Sequence, residues 1–529
     1  MTPFNYNFPY PSQRMPVMAR NMVASSQPLA VQAGLSAMQN GGNAVDAALT
    51  TAITLAVVEP TSNGIGSDAF AIVWDGQQLH GLNASGRLPA AVTPADYADM
   101  EEMPEFGWPS VTVPGAVSAW VALSERFGKL PFNRLFDHAI GYARNGYAIS
   151  PITARAWHAA APELREQEGF HNFLPDAKPP IPGQWFRFPD QADTLEKIAQ
   201  SNGEDFYQGD LADQIVASSK RNQWKLSKSD LEMHRADWVT PISKKYGDIE
   251  LHEIPPNGQG IAALIMLGII KHRGVSQFPL DSVDSVHLQV EAMKLAFADT
   301  HRYISDPESM DVRVEDLLND RYLAERADLI SMKEARFPGP GLPDKGGTVY
   351  LTSADRQGMM VSMIQSNFAG FGSGIVVEGT GISMQNRGAG FNLTPGHPNQ
   401  VAGGKRPFHT IIPGFVTRDG IAEMSFGVMG GSMQPQGHAQ MLIRIYDYGQ
   451  NPQAASDALR WRVMEDRSLH LEQGFDPEVA AELVQRGHEL FQGGADEAFG
   501  FGGAQLIFKS SYGYIGGSDH RKDGMAAGF

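Results

Sequence analysis

The sequence contains no cysteine among its 529 residues. That absence excludes disulfide bonds, a cysteine nucleophile, iron–sulfur clusters and cysteine-ligated zinc. Positive charge is also scarce, because 42 Lys and Arg stand against 59 Asp and Glu, and the basic residues form no long run. A nucleic-acid-binding surface needs clustered Lys and Arg. We therefore expect no nucleic-acid partner.

Long hydrophobic runs are missing as well. The most apolar stretch, AVDAALTTAITLAVV (44–58), contains Asp46 and is too short to span a bilayer, so it is typical of a buried helix. The N-terminal residues are polar and Pro-rich, without the basic and then apolar regions of a secretory signal. We expect a soluble cytoplasmic protein with no membrane partner.

Several catalytic motifs are absent. The chain has no G-x-S-x-G, no Walker A motif and no H-E-x-x-H, and GIGSDA (64–69) lacks the third glycine of a dinucleotide fingerprint. Its 15 histidines are scattered, and His409 and His438 lack ligand-like spacing, which favours hydrogen-bonded roles for both. We expect neither a metal nor a cofactor.

The first two thirds of the chain is predicted to be mostly helical. Residues 28–58 form two helices broken at GGN (41–43), with Asn43 as a cap, and 115–147 are helical again. The pattern over 151–345 is mostly helical and irregular. FPGPGLPDKGG (337–347) has the composition of an exposed linker.

Strand pairs predominate after residue 347. Three β-hairpins are predicted around DRQG (355–358), RDG (418–420) and SYG (511–513). Helical patterns lie at about 433–448, 452–464 and 476–488. Strand pairs with helices outside them predict an α+β fold with sandwich layers.

Gly346, Gly347 and Thr348 can be interpreted in two ways. The first is a turn whose β-branched last residue begins a strand. The second is a self-cleaving nucleophile, because glycines let the threonine hydroxyl approach the preceding carbonyl. An N-to-O acyl shift and hydrolysis would then release an N-terminal threonine whose own amine serves as the base.

A second glycine pair supports the nucleophile hypothesis. GVMGGSMQ (427–434) places Gly430 and Gly431 between a predicted strand and a predicted helix. Backbone N–H groups at such a junction can converge on one point, as an oxyanion hole requires. The alternative is a glycine-rich turn with no catalytic role.

These segments resemble the γ-glutamyltransferase family of N-terminal nucleophile hydrolases. The resemblance covers most of the chain, and its blocks occur in the family's order: SSQPLAVQAGLSAMQNGGNAVDAALT (25–50), EPTSNGIGSDAF (59–70), PGAVSAW (114–120), GTVYLTSADRQG (347–358), FGSGIVVEGTGISMQN (371–386), KRPFHTIIPGFVTRDG (405–420), GVMGG (427–431) and GGSDHRKDGMAAG (516–528).

The resemblance implies a four-layer αββα sandwich with two antiparallel sheets between helical layers. It also implies autocleavage into fragments 1–347 and 348–529, which stay together as a heterodimer; a dimer of that unit is a further possibility. Thr348 matches the family nucleophile, and Gly430 and Gly431 match its oxyanion glycines. Either Ser366 or Asn367 supports the nucleophile, since the register leaves one residue of ambiguity.

The glutamate-binding residues of the family are changed here. Where glutamyl-transferring members hold the substrate α-carboxylate with an arginine, this chain has Ser85, with Arg87 two residues later. Where they hold the α-amino group with an aspartate before a phenylalanine, it has Gly390 before Phe391.

Two further positions also differ from the glutamate-binding residues of the family. The Ser-Ser carboxylate contact of the family corresponds to His409 and Thr410, and Arg387 stands where a neutral amide is usual. The site loses the partner of an ammonium group and gains or keeps groups that bind an anion. We expect the pair Arg87 and Arg387, with bidentate contact from either, and His409 to bind it. Leaving an ammonium without its charged partner costs roughly 1.5–3 kcal/mol.

We therefore expect a small-molecule amide that carries a carboxylate and no ammonium, with oxamate, hydrolysed to oxalate and ammonia, as the best candidate. One alternative is a γ-glutamyl hydrolase or transpeptidase, acting on glutathione or other γ-glutamyl amides, in which these changes are neutral. The other is an uncleaved binding or scaffold homologue.

Overall fold

Two seven-stranded antiparallel sheets form the centre of the structure. It is a computed structural model that describes residues 13–336, 347–464, 468–491 and 500–529. Every neighbouring pair of strands in both sheets is antiparallel. The strands of sheet 1, in spatial order, are Val17–Ala19, Gly513–Ser518, Gly503–Ser510, Ile421–Met429, Gly414–Arg418, Ile249–Glu253 and Ile242–Tyr246. The strands of sheet 2, in spatial order, are Met525–Gly528, Met22–Ser25, Gly347–Ala354, Met360–Phe368, Asp68–Trp74, Leu79–Ala84 and Asp237–Val239.

Helices cover the outer face of each sheet. Pro28–Gln39 and Ala44–Val58 pack on sheet 2, whereas Gly260–Arg273 and Met433–Leu442 pack on sheet 1. The expected αββα sandwich is therefore confirmed.

The remaining elements extend these outer layers. The other α-helices are Ala116–Phe127, Asp137–Asn145, Pro151–Leu164, Pro189–Gln200, Glu204–Tyr207, Asp210–Arg221, Lys228–Met233, Val283–Tyr303, Val314–Leu317, Asp320–Asp328, Pro452–Asp457 and Pro477–Gln485. Short strands outside the two sheets are Tyr147–Ala148, Trp185–Phe186, Val376–Val377, Ile382–Ser383, Trp461–Val463, Leu469–Leu471 and Leu490–Phe491.

The predicted helix pair at 28–58 is confirmed. Asn43 Oδ1 accepts the N–H of Asp46, and the Asp46 carboxylate accepts the N–H of Asn43, which makes a reciprocal capping box. Every residue of Ala44–Val58 is buried, including Asp46, which also accepts N–H groups from Lys129 and Leu130. No helix among the described residues is long and apolar enough to cross a bilayer.

Two secondary-structure predictions need correction. The described part of region 151–345, predicted to be mostly helical and irregular, also contains strands: the short Trp185–Phe186 and three between Asp237 and Glu253, where ISKKY and IELHE pair across the turn at Gly247. The helix predicted over 452–464 ends at Asp457, because Trp461 and Val463 alternate inward and pair with another strand.

The three predicted hairpins are confirmed as antiparallel strand pairs in the two sheets. The predicted linker 337–347 lies outside the described residues except for Gly347, which begins a strand.

A missing side chain lets the two sheets approach closely. A Cβ atom at Gly427 in sheet 1 would lie 2.4 Å from the ring of Tyr350 in sheet 2. Both positions belong to central strands, and Tyr350 is fully buried. The contact therefore fixes how the strand Gly347–Ala354 lies over the strand Ile421–Met429.

We predict that Gly427→Ala lowers the free energy of unfolding by about 1–3 kcal/mol, because the added methyl group overpacks this contact. The matched control is Gly141→Ala, where no atom lies within 4 Å of the added Cβ and the helix Asp137–Asn145 gains propensity. Thermal unfolding should show a lower midpoint for Gly427→Ala only. An unchanged midpoint for that variant would contradict the packing argument.

Candidate active site

Thr348 lies buried at the start of a central strand of sheet 2. Its Oγ1 is 3.1 Å from Ser366 Oγ on the neighbouring strand. The register is irregular here, since Gly347 pairs with Phe368 while Val349 pairs with Gln365. Bulges of this kind are common beside active sites because they redirect side chains.

The contacts between the two sheets indicate which part of sheet 1 Thr348 faces. Thr352 Oγ1 lies 2.6 Å from Ser425 Oγ in sheet 1, and Tyr350 lies on Gly427. The bulge interrupts the alternation at Thr348, but Thr348 contacts Ser366, which shares one face of its strand with Ile364, a residue packed between the sheets in one cluster with Met429. We infer that Thr348 faces sheet 1 near the end of the strand Ile421–Met429, which the glycine pair 430–431 follows.

Gly430 and Gly431 connect that strand to a helix. Their φ angles are 122° and 60°, which side-chain-bearing residues rarely adopt. Their carbonyl groups accept the N–H groups of Met433 and Gln434 in the first turn of the helix Met433–Leu442. The glycine pair thus lies at a helix N-terminus, where backbone N–H groups and the helix dipole favour negative charge.

Ser366 and Asn367 occupy different environments. Ser366 Oγ contacts Thr348 and accepts the N–H of Phe368 at 2.8 Å. Asn367 Oδ1 accepts a hydrogen bond from Ser67 Oγ at 2.7 Å, on the other side of the strand. Of the two residues left open by the sequence, the structure places Ser366 against the Thr348 hydroxyl.

Arg387 is a buried cation with unused hydrogen-bonding capacity. Its side chain is 1% exposed, and Nη1 donates to Thr410 Oγ1 at 2.7 Å. The guanidinium lies over the ring of Phe368, 4.9 Å from its centroid. Nε and Nη2 have no partner among the described residues. Burial lowers the pKa of Arg387 to about 9, so the group is still charged at neutral pH.

His409 is paired with a buried carboxylate that the sequence did not single out. Its Nε2 lies 3.1 Å from Asp68 Oδ2. Burial, with the charges of Arg387 and Arg406, holds the pKa of His409 well below its usual range. Burial raises the pKa of Asp68 to about 7, although Arg387 and hydrogen bonds from backbone N–H groups oppose the rise. His409 is therefore a neutral hydrogen-bonding group.

The structure does not pair Arg87 with Arg387. Arg87 Nη1 donates to Asp306 Oδ2 at 3.0 Å and to the carbonyl of Gly404 at 2.9 Å, and 41% of its side chain is exposed. Ser85 Oγ donates to Asn83 Oδ1 at 2.7 Å.

Arg406 is the second arginine near the His409–Asp68 pair, and sequence reasoning missed it. It is mostly buried, its Nε donates to the Ser85 carbonyl at 2.9 Å, and its charge acts on both His409 and Asp68. Its position three residues before His409 in KRPFHT was the available signal.

A cavity of about 570 Å³ adjoins these groups. Its wall includes Phe368 and Thr410, which contact Arg387, and Ser432, which follows the glycine pair. Gly390 and Phe391 line it too. This volume is typical of a small-molecule site.

One further cluster has the composition of a metal site. Potential ligand atoms of His287, Glu291 and His488 lie within 4.8 Å of one another. However, the two imidazoles hydrogen-bond each other at 2.8 Å, and Lys294 Nζ lies 2.8 Å from the Glu291 carboxylate. With its ligand atoms engaged and a lysine among them, the cluster fits a buried hydrogen-bond network better than a metal.

We predict that Ser366→Ala slows the expected cleavage at 347/348 about tenfold, because the Thr348 hydroxyl loses its neighbour. Asn367→Ala is the matched control, because it leaves Ser67 without its acceptor. This variant should lower the midpoint of thermal unfolding and leave the cleavage rate close to the wild-type rate. A time course of intact mass measures the rates. Slower cleavage in Asn367→Ala than in Ser366→Ala, at equal midpoints, would contradict the assignment.

Comparisons of the sequence and of the structure with known proteins point to the same family. A family model described as gamma-glutamyltranspeptidase matches residues 30–529. The solved structure of cephalosporin acylase from Bacillus halodurans is 47% identical, covers 100% of this chain and 99% of its own, and superposes with a TM-score of 0.95.

Two curated relatives also match over nearly their whole length. The oxamate amidohydrolase proenzyme of Klebsiella pneumoniae is 35% identical over 97% of this chain and 99% of its own, and the glutathione hydrolase-like YwrD proenzyme of Bacillus subtilis is 34% identical over 96% and 98%. The chain therefore belongs to the gamma-glutamyltranspeptidase family of N-terminal nucleophile hydrolases, enzymes that act on amide C–N bonds.

Proposed function

We propose that the chain is a proenzyme that cleaves itself between Gly347 and Thr348 and then hydrolyses amides with the new N-terminal threonine. Oγ1 attacks the Gly347 carbonyl, the acyl group moves from nitrogen to oxygen, and water hydrolyses the ester. Fragments 1–347 and 348–529 remain together because each of the two sheets contains strands of both fragments. In sheet 2, for example, Met22–Ser25 of the first fragment lies between Met525–Gly528 and the strand that carries Thr348, both of the second.

In turnover, the free amine of Thr348 takes the Oγ1 proton while Oγ1 attacks the amide carbon of the substrate. The N–H groups at Gly430 and Gly431 hold the oxyanion. The amine or ammonia leaves with that proton, and water then hydrolyses the acyl ester.

The substrate is proposed to be the monoamide of a dicarboxylic acid, and Arg387 carries this proposal. Its guanidinium is fully buried, beside the cavity, with two nitrogens that lack a partner among the described residues. Asp68 acts on Arg387 through its charge, but the two buried donors still lack acceptors among the described residues, which is unfavourable. A substrate carboxylate would supply acceptors in the planar geometry that arginine binds best.

Oxamate is the shortest substrate of this class and our first candidate. One curated relative bears that activity in its name. The cavity of about 570 Å³ leaves room for a longer acyl chain, such as glutaryl, or for a larger leaving amine. A solved relative is named as an acylase of cephalosporins. His409 and Thr410 are proposed to assist Arg387. Ser85 and Arg87 contact Arg406 and Asp306 instead, and we assign them no direct contact with the substrate.

A γ-glutamyl amide is the second candidate, and one observation favours it. Gly390 offers no carboxylate for an α-ammonium, but Glu101, Glu102 and Glu105 line the same cavity. Those glutamates offer an ammonium group a negatively charged part of the cavity lining.

A matched pair of substrates separates the two candidates. A glutaryl anilide and the corresponding γ-glutamyl anilide differ only in the α-ammonium group. We predict that kcat/KM is at least tenfold higher for the glutaryl compound, since the ammonium lacks a buried partner. Ammonia release from oxamate is measured in parallel, with Thr348→Ala as the blank. A preference for the γ-glutamyl anilide would overturn the proposed substrate class.

Anion binding at Arg387 should depend on pH through Asp68. Because the pKa of Asp68 is raised to about 7, it takes up a proton as the pH falls from 8 to 6, and a negative charge near Arg387 disappears. We predict that the inhibition constant of glutarate falls about fivefold over this range, the effect of roughly 1 kcal/mol of charge interaction. Asp68→Asn should bind glutarate tightly at both pH values. Equal pH dependence in the variant would contradict this role.

A further inference from the structure

Gln259 is a buried residue whose side-chain amide has one end fully used. It precedes the helix Gly260–Arg273 and is 1% exposed. Its Nε2 donates to the carbonyl of Thr410 at 2.6 Å and to the carbonyl of Gly431 at 2.9 Å. Both partners are acceptors, so the orientation of the amide is fixed: nitrogen faces the two carbonyls.

This bridge joins the two halves of the site. Thr410 accepts a hydrogen bond from the Arg387 guanidinium, and Gly431 belongs to the glycine pair proposed as the oxyanion site. The Gln259 backbone N–H also donates to the carbonyl of His409 at 2.9 Å. Gln259 therefore sets the distance between the proposed carboxylate site and the proposed oxyanion site.

The other end of the amide is unused. Gln259 Oε1 is buried and has no hydrogen-bond partner among the described residues, although Gln259 lines the cavity of about 570 Å³. Leaving a buried acceptor unpaired is costly, so a donor is expected from whatever occupies the cavity. A scissile amide attached to an acyl group at Arg387 and Gly431 presents one such donor, its own N–H.

We propose that Gln259 Oε1 accepts the N–H of the scissile amide and so makes the enzyme selective for amides over esters. This inference rests on the proposed function, because it needs a substrate bound between Arg387 and the glycine pair. It predicts a residue with two roles: Nε2 positions the site, and Oε1 contacts the substrate.

The test compares an amide with the ester of the same acyl group. A glutaryl anilide and the corresponding glutaryl phenyl ester form one acyl-enzyme, so their kcat/KM values report on acylation alone. Gln259→Met keeps the length of the side chain and removes the acceptor. The ratio of amide to ester kcat/KM is expected to fall about tenfold in this variant relative to the wild type.

Gln259→Glu is the matched control, because it keeps an acceptor oxygen and loses the donor to the two carbonyls. Both of its rates should fall while the ratio stays near the wild-type value. If Gln259→Met does not fold, Gln259→Asn replaces it. Its side chain is shorter by one methylene group, so its amide oxygen no longer reaches the substrate, and its ratio of amide to ester kcat/KM is compared with that of the wild type in the same way.

A purely structural role has a different signature. If the ratio in Gln259→Met or Gln259→Asn stays within twofold of the wild-type value while both rates fall, Gln259 only positions the loop and the proposal is overturned. If the wild type hydrolyses neither the glutaryl compounds nor oxamate, the proposed substrate class fails instead. The amide-to-ester ratio can then still be measured with the γ-glutamyl pair, which keeps the two failures distinguishable.

Discussion

The close contact between the two sheets is the constraint on which the rest of the structure depends. The ring of Tyr350 occupies the space that a side chain at Gly427 would need, and the Thr352 and Ser425 hydroxyls hydrogen-bond one step away. These contacts fix both the separation and the register of two strands that belong to different sheets. One strand carries Thr348 at its start and the other ends just before the glycine pair, so we infer that the alignment brings the Thr348 hydroxyl toward a helix N-terminus that favours negative charge.

Electrostatics underlie the selectivity that we propose for the site. Two nitrogens of the buried Arg387 lack a hydrogen-bond partner among the described residues, which is unfavourable for the free protein and is the reason why we propose that a substrate carboxylate binds there. The Asp68–His409 pair lies in the field of Arg387 and Arg406. Because His409 is neutral, it can hydrogen-bond a substrate without adding another positive charge. Gln259 links this region to the glycine pair through two backbone carbonyls.

Local sequence signals predicted much of the fold. The helix cap at Asn43 and the three hairpins depend on residues a few positions apart, and these predictions are confirmed. The strands at 237–253 were missed because their short alternating pattern lies within helical surroundings.

The site was only partly accessible from sequence. Thr348, Arg387 and the glycine pair lie in recognisable segments, but contacts between distant segments decide the rest. His409 and Asp68 are 341 positions apart, and the direction of Arg87 is set by Asp306, 219 positions away. Charge pairing of this kind has no local pattern in the chain. The sequence likewise offered Arg87 as the partner of Arg387, whereas Arg406 is the arginine whose charge acts on Asp68 and His409.

The most direct measurement is intact mass after mixing the purified protein with a glutaryl anilide and quenching in acid within one turnover. The account predicts two fragments that divide between Gly347 and Thr348, with a glutaryl adduct on the fragment that begins at Thr348 and none on the other. A single uncleaved chain, or an adduct carried by residues 1–347, would contradict the assignment of Thr348 as the nucleophile.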